Sequence, residues 1–400
     1  MPQNLRNGRR MGQKTLVLSK WAVCPRGAAQ QGPTAGRCTD VLDLHDLLQF
    51  TVEHRGSDLH IKVGSPPHVR VDGHLMVTSF DTVTPADTER IASAVLPADR
   101  SDDFAQSCDS DFALGVPGLG RFRVNLFRQR GSVGLVFRRV LPGMPSFDTL
   151  GLPGVVPRLA DEAAGLILVT GPAGSGRTTT LASMVDHVNE TRSVNIVTIE
   201  DPIEVLHPDK MAIVNQRELG TDTRDYASAL RRVLRQDPDV IAVGEIGDAE
   251  TMWAALSAAS TGHLVLATLQ TTKVIETLGR IIDFFPPHIH RQVRHTLAAC
   301  LKGVVSQRLL ERADGRGRVP AVEVLVSTSR VVDHIADMSA PAEKLEELMA
   351  EGEYHGMQTF DQSLFGLYKN GLVSLRDVLA VATHPQDFRI ALQTSGLIAT

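Results

Sequence analysis

Gly171-Pro172-Ala173-Gly174-Ser175-Gly176-Arg177-Thr178-Thr179 has the glycine spacing of a phosphate-binding loop, with arginine at 177 where that loop carries lysine. The apolar run Leu166-Ile167-Leu168-Val169 precedes it and helical patterning over 178–188 follows, so the context is strand, loop, helix. Backbone N–H groups freed by the glycines, together with the helix N-terminus, suit the phosphates of a nucleotide. Thr178 supplies the hydroxyl that a magnesium ion needs. A plain glycine-rich turn is the alternative, and the full spacing with both flanks speaks against it.

Downstream of about residue 146, apolar strands at Gly165–Thr170, 194–199, Val240–Val243 and 263–268 alternate with helical stretches such as 226–234 and 249–259. That alternation predicts an α/β fold, a parallel sheet wrapped by helices. The tail beyond Pro286 reads as mostly helical, with a stop at Glu351-Gly352-Glu353 and a fresh start near Thr359. Upstream, 41–142 reads as a small mixed domain: a helix over 41–54, then strands at 59–63, His68–Val71 and 122–126. Turns at Gly64-Ser65-Pro66-Pro67 and Val71-Asp72-Gly73 punctuate it. The Pro/Gly-rich segments Leu141-Pro142-Gly143-Met144-Pro145 and Gly151-Leu152-Pro153-Gly154 make a hinge. The expected division is therefore a leader over 1–40, an N-terminal domain over 41–142, a linker over 143–155, a nucleotide-binding core over 156–290 and a helical region over 291–400.

The first forty residues carry seven Lys/Arg against Asp40 alone, so a net charge of −5 overall divides into a basic leader at +6 and a body near −11. The leader is rich in Gly, Gln, Pro and Arg, and its apolar stretch Leu16-Val17-Leu18 is short; it reads as disordered rather than as a signal peptide. No run is long enough to span a bilayer. Cys24, Cys38, Cys108 and Cys300 lie far apart without Cys-x-x-Cys pairs, which indicates neither a zinc ribbon nor a disulfide framework and fits a cytoplasmic compartment. An acidic body poor in aromatics offers no footprint for nucleic acid.

Further acids fall where nucleotide chemistry needs them. The strand Asp239-Val240-Ile241-Ala242-Val243-Gly244 ends in Glu245, the place of a Walker B acid serving magnesium. Glu200-Asp201-Pro202-Ile203-Glu204 follows another apolar strand, and carboxylates at the carboxyl end of a parallel strand face the nucleotide crevice. One of them is placed to orient or deprotonate water. His263 opens the strand Leu264-Val265-Leu266-Ala267-Thr268, which runs on into the polar cluster Gln270-Thr271-Thr272. Arg121, Arg123, Arg128, Arg130 and Arg138 crowd the end of the first domain, either as solubilising hairpin residues or as guanidinium groups reaching a neighbouring subunit's phosphates.

Jointly these motifs resemble the secretion and pilus motor ATPases, and among them the type IV pilus retraction ATPases of the PilT kind. Gly56-Ser57-Asp58-Leu59-His60, Gly120-Arg121-Phe122-Arg123-Val124-Asn125, Thr198-Ile199-Glu200-Asp201-Pro202-Ile203-Glu204, Val243-Gly244-Glu245, Thr261-Gly262-His263-Leu264-Val265 and Gly356-Met357-Gln358-Thr359-Phe360-Asp361-Gln362-Ser363-Leu364 carry the resemblance, over roughly 41–395. It implies a homohexameric cytoplasmic ring at the inner membrane, its subunits built from a PAS-like N-terminal domain and a RecA-like ATPase domain. The ring would act on a membrane platform protein to extract pilin. By position, Glu204 would activate water, Glu245 and Thr178 would serve magnesium, and His263 would lie near the phosphates. Arg123, Arg128 and Arg138 would contact phosphate.

Four positions depart from the family pattern: Arg177 for lysine, Gln270 for the second histidine of the His box, Gly247 for an arginine, and 330–335 without the arginine of the retraction signature. Arginine keeps the charge, but its planar fork does not fill the point-charge position of lysine. Slow turnover with ATP binding retained is the expectation. The alternatives are a nucleotide-binding, non-hydrolysing subunit that regulates a paralogous retraction ATPase, or a pilus assembly or type II secretion motor.

Overall fold

The computed structural model describes residues 42–71, 73–140 and 143–398. The expected leader, with Cys24 and Cys38, lies outside the described residues, as do Asp72 of one turn and Leu141-Pro142 of the hinge.

The first sheet is antiparallel throughout, in the order β3-β2-β1-β6-β5-β4, from β1 (Asp58–Ile61), β2 (His68–Val71), β3 (His74–Val77), β4 (Asp109–Val116), β5 (Gly120–Gln129) and β6 (Ser132–Val140). Strand periodicity explains its faces: Phe122, Val124 and Leu126 of β5 turn inward, and Arg121 and Arg123 turn out. Arg130 and Gly131, both in the left-handed region, form the two-residue loop that joins β5 to β6. The helices Leu44–Glu53 and Pro85–Val95 supply Leu47, Leu48 and Ile91 to the buried face. The second opens on a reciprocal Thr84–Asp87 capping box with proline at its first turn.

The second sheet has the order β13-β12-β7-β11-β10-β8-β9, from β7 (Gly165–Thr170), β8 (Asn195–Glu200), β9 (Ile213–Glu218), β10 (Val240–Val243), β11 (Leu264–Leu269), β12 (Leu301–Glu311) and β13 (Arg318–Val326). Every pairing from β12 to β9 is parallel, and β13 closes the sheet antiparallel to β12. β7, β10 and β11 are buried over their whole length between two apolar layers. Covering on both faces is why they read as unbroken apolar runs.

One expectation is corrected. The region beyond 291, read as helical, contributes β12 and β13, which extend the second sheet itself. Both strands are buried on two faces, so they show no period-two alternation. A polar interlude such as Ser306-Gln307-Arg308 inside an apolar run then mimics a helical stripe. The helices Phe360–Lys369, Leu375–Val381 and Pro385–Thr394 pack a third cluster on Leu310, Val319 and Ala321. The fresh start near Thr359 is a capping box with Gln362. Among the described residues no helix is long and apolar enough to cross a membrane.

Candidate nucleotide site

The phosphate-binding loop leaves the carboxyl end of β7 and enters the helix Arg177–Thr191. Gly171, Gly174 and Gly176 all hold positive φ, at 149°, 75° and 91°. At two of them glycine is required for space as well: a Cβ on Gly171 would sit 2.4 Å from the Gln307 carbonyl oxygen, and one on Gly176 would sit 2.9 Å from Gln307 Nε2. Gln307, on β12, clamps the loop. Its Nε2 donates to the Ser175 carbonyl at 2.7 Å, and its Oε1 accepts from Thr180 Oγ1 at 2.9 Å. Ser175 Oγ and Arg177 Nε are buried without a partner. The other end of the Arg177 guanidinium turns back onto its own loop, Nη1 donating to the Gly171 carbonyl.

Beside the loop lies a cavity of about 230 Å³. Arg177 and Thr178 line one side of it, and Glu200, Asp201, Glu204 and Glu245 line the other. The strand register explains the convergence: β8 and β10 run parallel, with Val243 opposite Ile199, so the acids that follow both strands emerge at the same edge. Gly244 makes the approach possible, because a Cβ there would meet the Tyr226 hydroxyl at 2.9 Å and the Glu200 backbone at 3.3 Å. Thr268 Oγ1 donates to the Gly244 carbonyl at 2.6 Å.

Electrostatics divide the acids. Burial holds Glu200 above the usual carboxylate range, against the opposing bonds from Thr198 Oγ1 at 2.5 Å and Gln216 Nε2 at 3.0 Å. The Tyr226 phenol is raised first by burial, then by the charges of Asp201, Glu245 and Glu200, so it stays protonated. Glu204 is exposed at the mouth of the cavity.

Other candidates are not brought to the loop. His263 precedes β11 at its amino end, where its carbonyl accepts from Gly165 N at 3.0 Å and its Nδ1 lies 3.1 Å from the Ala258 carbonyl. The loop is at the opposite end of the sheet, roughly 20 Å away at about 3.3 Å per strand residue. The expectation that His263 lies near the phosphates is thus corrected: parallel strands put only their carboxyl ends at the crevice. Gln270 is the residue at that end, one past Leu269, the register partner of Thr170. Arg138 Nε bonds the buried Asp58 at 2.7 Å, and Arg128 lies against Glu89 at 3.5 Å and over the Phe104 ring. Arg123 is exposed, opposite Arg138 across β5 and β6. None of these three lines the cavity of its own chain.

Residues 153–356 match the family described as type II/IV secretion system protein. The chain is 40% identical to the type IV pilus ATPase PilU of Pseudomonas aeruginosa over 352 residues, 88% of this chain and 92% of that one. It is also 40% identical to the type IV pilus retraction ATPase PilT of the same organism over 347 residues, 87% of this chain and all of that one. A crystal structure of the pilus retraction motor PilT with bound ADP superposes with a TM-score of 0.78 at 44% identity, covering 86% of this chain and 98% of that one. The chain belongs to the type II/IV secretion system family and is a PilT-like ATPase. Within this PilT-like ATPase, sequence reading missed Gln307, Tyr226 and Gln216. Gln307 lay hidden in a segment read as helix, whereas Tyr226 and Gln216 carry no motif and reach the site only through tertiary packing.

Proposed function

We propose that the chain is an ATP-hydrolysing ring motor of type IV pilus retraction, in which Thr178 and Glu245 hold magnesium and Glu204 activates the attacking water. The observation that carries this reading is the convergence of Arg177, Thr178, Glu204 and Glu245 on one cavity beside the loop. The residues fit a nucleotide phosphate: unpartnered Ser175 Oγ and Arg177 Nε, the start of the helix Arg177–Thr191 and two glycines that admit no Cβ form a cradle. Magnesium, when bound, would neutralise charge on the β- and γ-phosphates. Glu204 orients water, and the protonated Tyr226 phenol lies within the field of Asp201, Glu245 and Glu200.

The N-terminal domain is PAS-like in this reading, which its antiparallel sheet and covering helices support, and the core is RecA-like. Six subunits form a cytoplasmic ring that acts on an inner-membrane platform protein. Arg123, Arg128 and Arg138 do not line the cavity of their own chain, and in this reading a neighbouring subunit is where they contact phosphate. Arg177 slows the chemical step while ATP binding is retained. The test is magnesium-dependent hydrolysis by the purified full chain. Activity abolished by Glu204→Gln is expected; activity indifferent to that change would overturn the assignment.

A second reading, a regulatory subunit that binds nucleotide without turning it over and works beside a paralogous retraction ATPase, is favoured by the bond of Arg177 to Gly171 and by Gln270. ATP binding with no turnover, unrepaired by Arg177→Lys, is the result that selects it.

A further inference from the structure

Glu204 receives no hydrogen bond on its carboxylate from any described residue, so its place is set by its backbone alone. That backbone is gripped on both sides from β9. Strand periodicity turns Gln216 and Glu218 to one face. Gln216 Nε2 donates to the Val205 carbonyl at 2.8 Å, and its Oε1 accepts from His207 N at 2.9 Å. Glu218 Oε2 accepts from Ile203 N at 3.0 Å. The Glu204 N–H is itself bonded to the Glu200 carboxylate, and the residues on either side of it are fixed by neutral Gln216 and by the buried Glu218 carboxylate.

The carboxylate has a partner from the other domain. Arg121, at the start of β5 in the N-terminal sheet, donates from Nη2 to the same Glu218 Oε2 at 2.8 Å. The Glu218 side chain is 4% exposed and that of Arg121 22%, so the pair is largely removed from water. Thr221 Oγ1 takes the other oxygen at 3.3 Å. A buried carboxylate that loses its cation must draw in water or another donor. Ile203 N–H, bonded to the same oxygen, is the group that such a rearrangement moves.

We propose that Glu218, held by Arg121, is a positioning residue for Glu204, and that through this pair the placement of the water-activating carboxylate depends on the seating of the N-terminal domain. When the domains separate, Glu218 loses its cation and the segment bearing Glu204 loosens; when they close, it is set. The inference rests on the role proposed above for Glu204.

The test uses the full chain. Arg121→Ala is expected to lower kcat tenfold or more, since misplacement by about 1 Å costs up to about 10²-fold, while KM for ATP and the affinity for ADP stay nearly unchanged, as when an interaction made only in the transition state is lost. Arg121→Lys recovers part of the loss. Glu218→Gln lowers kcat to a similar degree, and the double variant is no worse than the worse single one. Amide exchange over 201–207 quickens in Arg121→Ala. Unchanged kcat, additive losses, or a defect confined to nucleotide affinity would overturn the proposal; the last would make Arg121 a nucleotide contact. Glu204→Gln measured in parallel separates the two claims. Full activity there removes the catalytic reading of Glu204, whereas inactivity there with an indifferent Arg121→Ala removes only the positioning role.

Discussion

Arg177 is charged like the lysine it stands for, yet its guanidinium is planar, forked and already engaged with the Gly171 carbonyl. On the function proposed above, nucleotide phosphate would compete with that bond, and the transition state would meet a fork in place of a point charge. Arg177→Lys is therefore expected to raise kcat by about 10²–10³, the usual value of one well-placed stabilising donor, with a smaller change in ATP affinity; steady-state kinetics and ADP titration read the two separately. Gln307 acts by a different route, since it touches the loop and not the cavity. Gln307→Ala leaves the Thr180 hydroxyl and the Ser175 carbonyl without partners, at a cost of about 1–3 kcal/mol. A lower melting temperature and weaker ATP binding are the outcomes to measure, and a variant as stable and tight as the parent would show that the clamp is dispensable.

The hairpin of β12 and β13 brings more than Gln307. Glu323 on β13 lies beside Ser306 in register and accepts from Val274 N at 2.7 Å, anchoring the amino end of the helix Val274–Asp283 that follows the Gln270–Lys273 turn. Burial pushes its carboxyl up to about 7, with the Val274 bond, Lys273 and Arg308 opposing and Glu346 reinforcing. A folded value above the unfolded 4.5 means that the native state holds the extra proton between those two limits. Its contribution to stability is full below about pH 4.5 and is lost as pH rises through about 7, a change of about 3 kcal/mol. Denaturant unfolding from pH 5 to 8 should show this decline, and Glu323→Gln should flatten it; an unchanged slope in the variant would assign the dependence to other groups.

Assembly is the scale at which the outward arginines matter. Arg123 does not line the cavity of its own chain, so if it serves a neighbour's phosphate the defect of Arg123→Ala belongs to the interface. Arg123→Ala and Glu204→Gln are each expected to be nearly inactive alone. Mixed rings contain some interfaces with an intact arginine from one subunit and an intact glutamate from the other, so hydrolysis should reappear on mixing. Light scattering with a non-hydrolysable ATP analogue should show six copies of the 43.3 kDa chain. Hexamers without recovered activity on mixing would place Arg123 outside the chemistry.

The loop, its strand and its helix could be read from residue order because glycine spacing and an apolar run are local properties, and β7 and β10 lie at the residues the pattern indicates. Glu245 and the acid cluster 200–204 were legible as crevice acids for the same reason, each following a strand whose direction the alternation of elements implies, whereas the choice of Glu204 within the cluster came from the family resemblance. His263 was misplaced and β12 and β13 were missed because the end of a strand that faces the crevice, and a strand buried on both faces, are defined by neighbours distant in sequence. The clamp of Gln307 on Ser175 and the bond of Arg121 to Glu218 join residues about a hundred positions apart or more. Local chemistry thus determined that the chain has a glycine-rich loop after an apolar strand and acids at the carboxyl ends of two others. Which side chains hold those parts in place was decided only by tertiary packing, since hydrogen bonds of that span exist once the sheets have formed and not before.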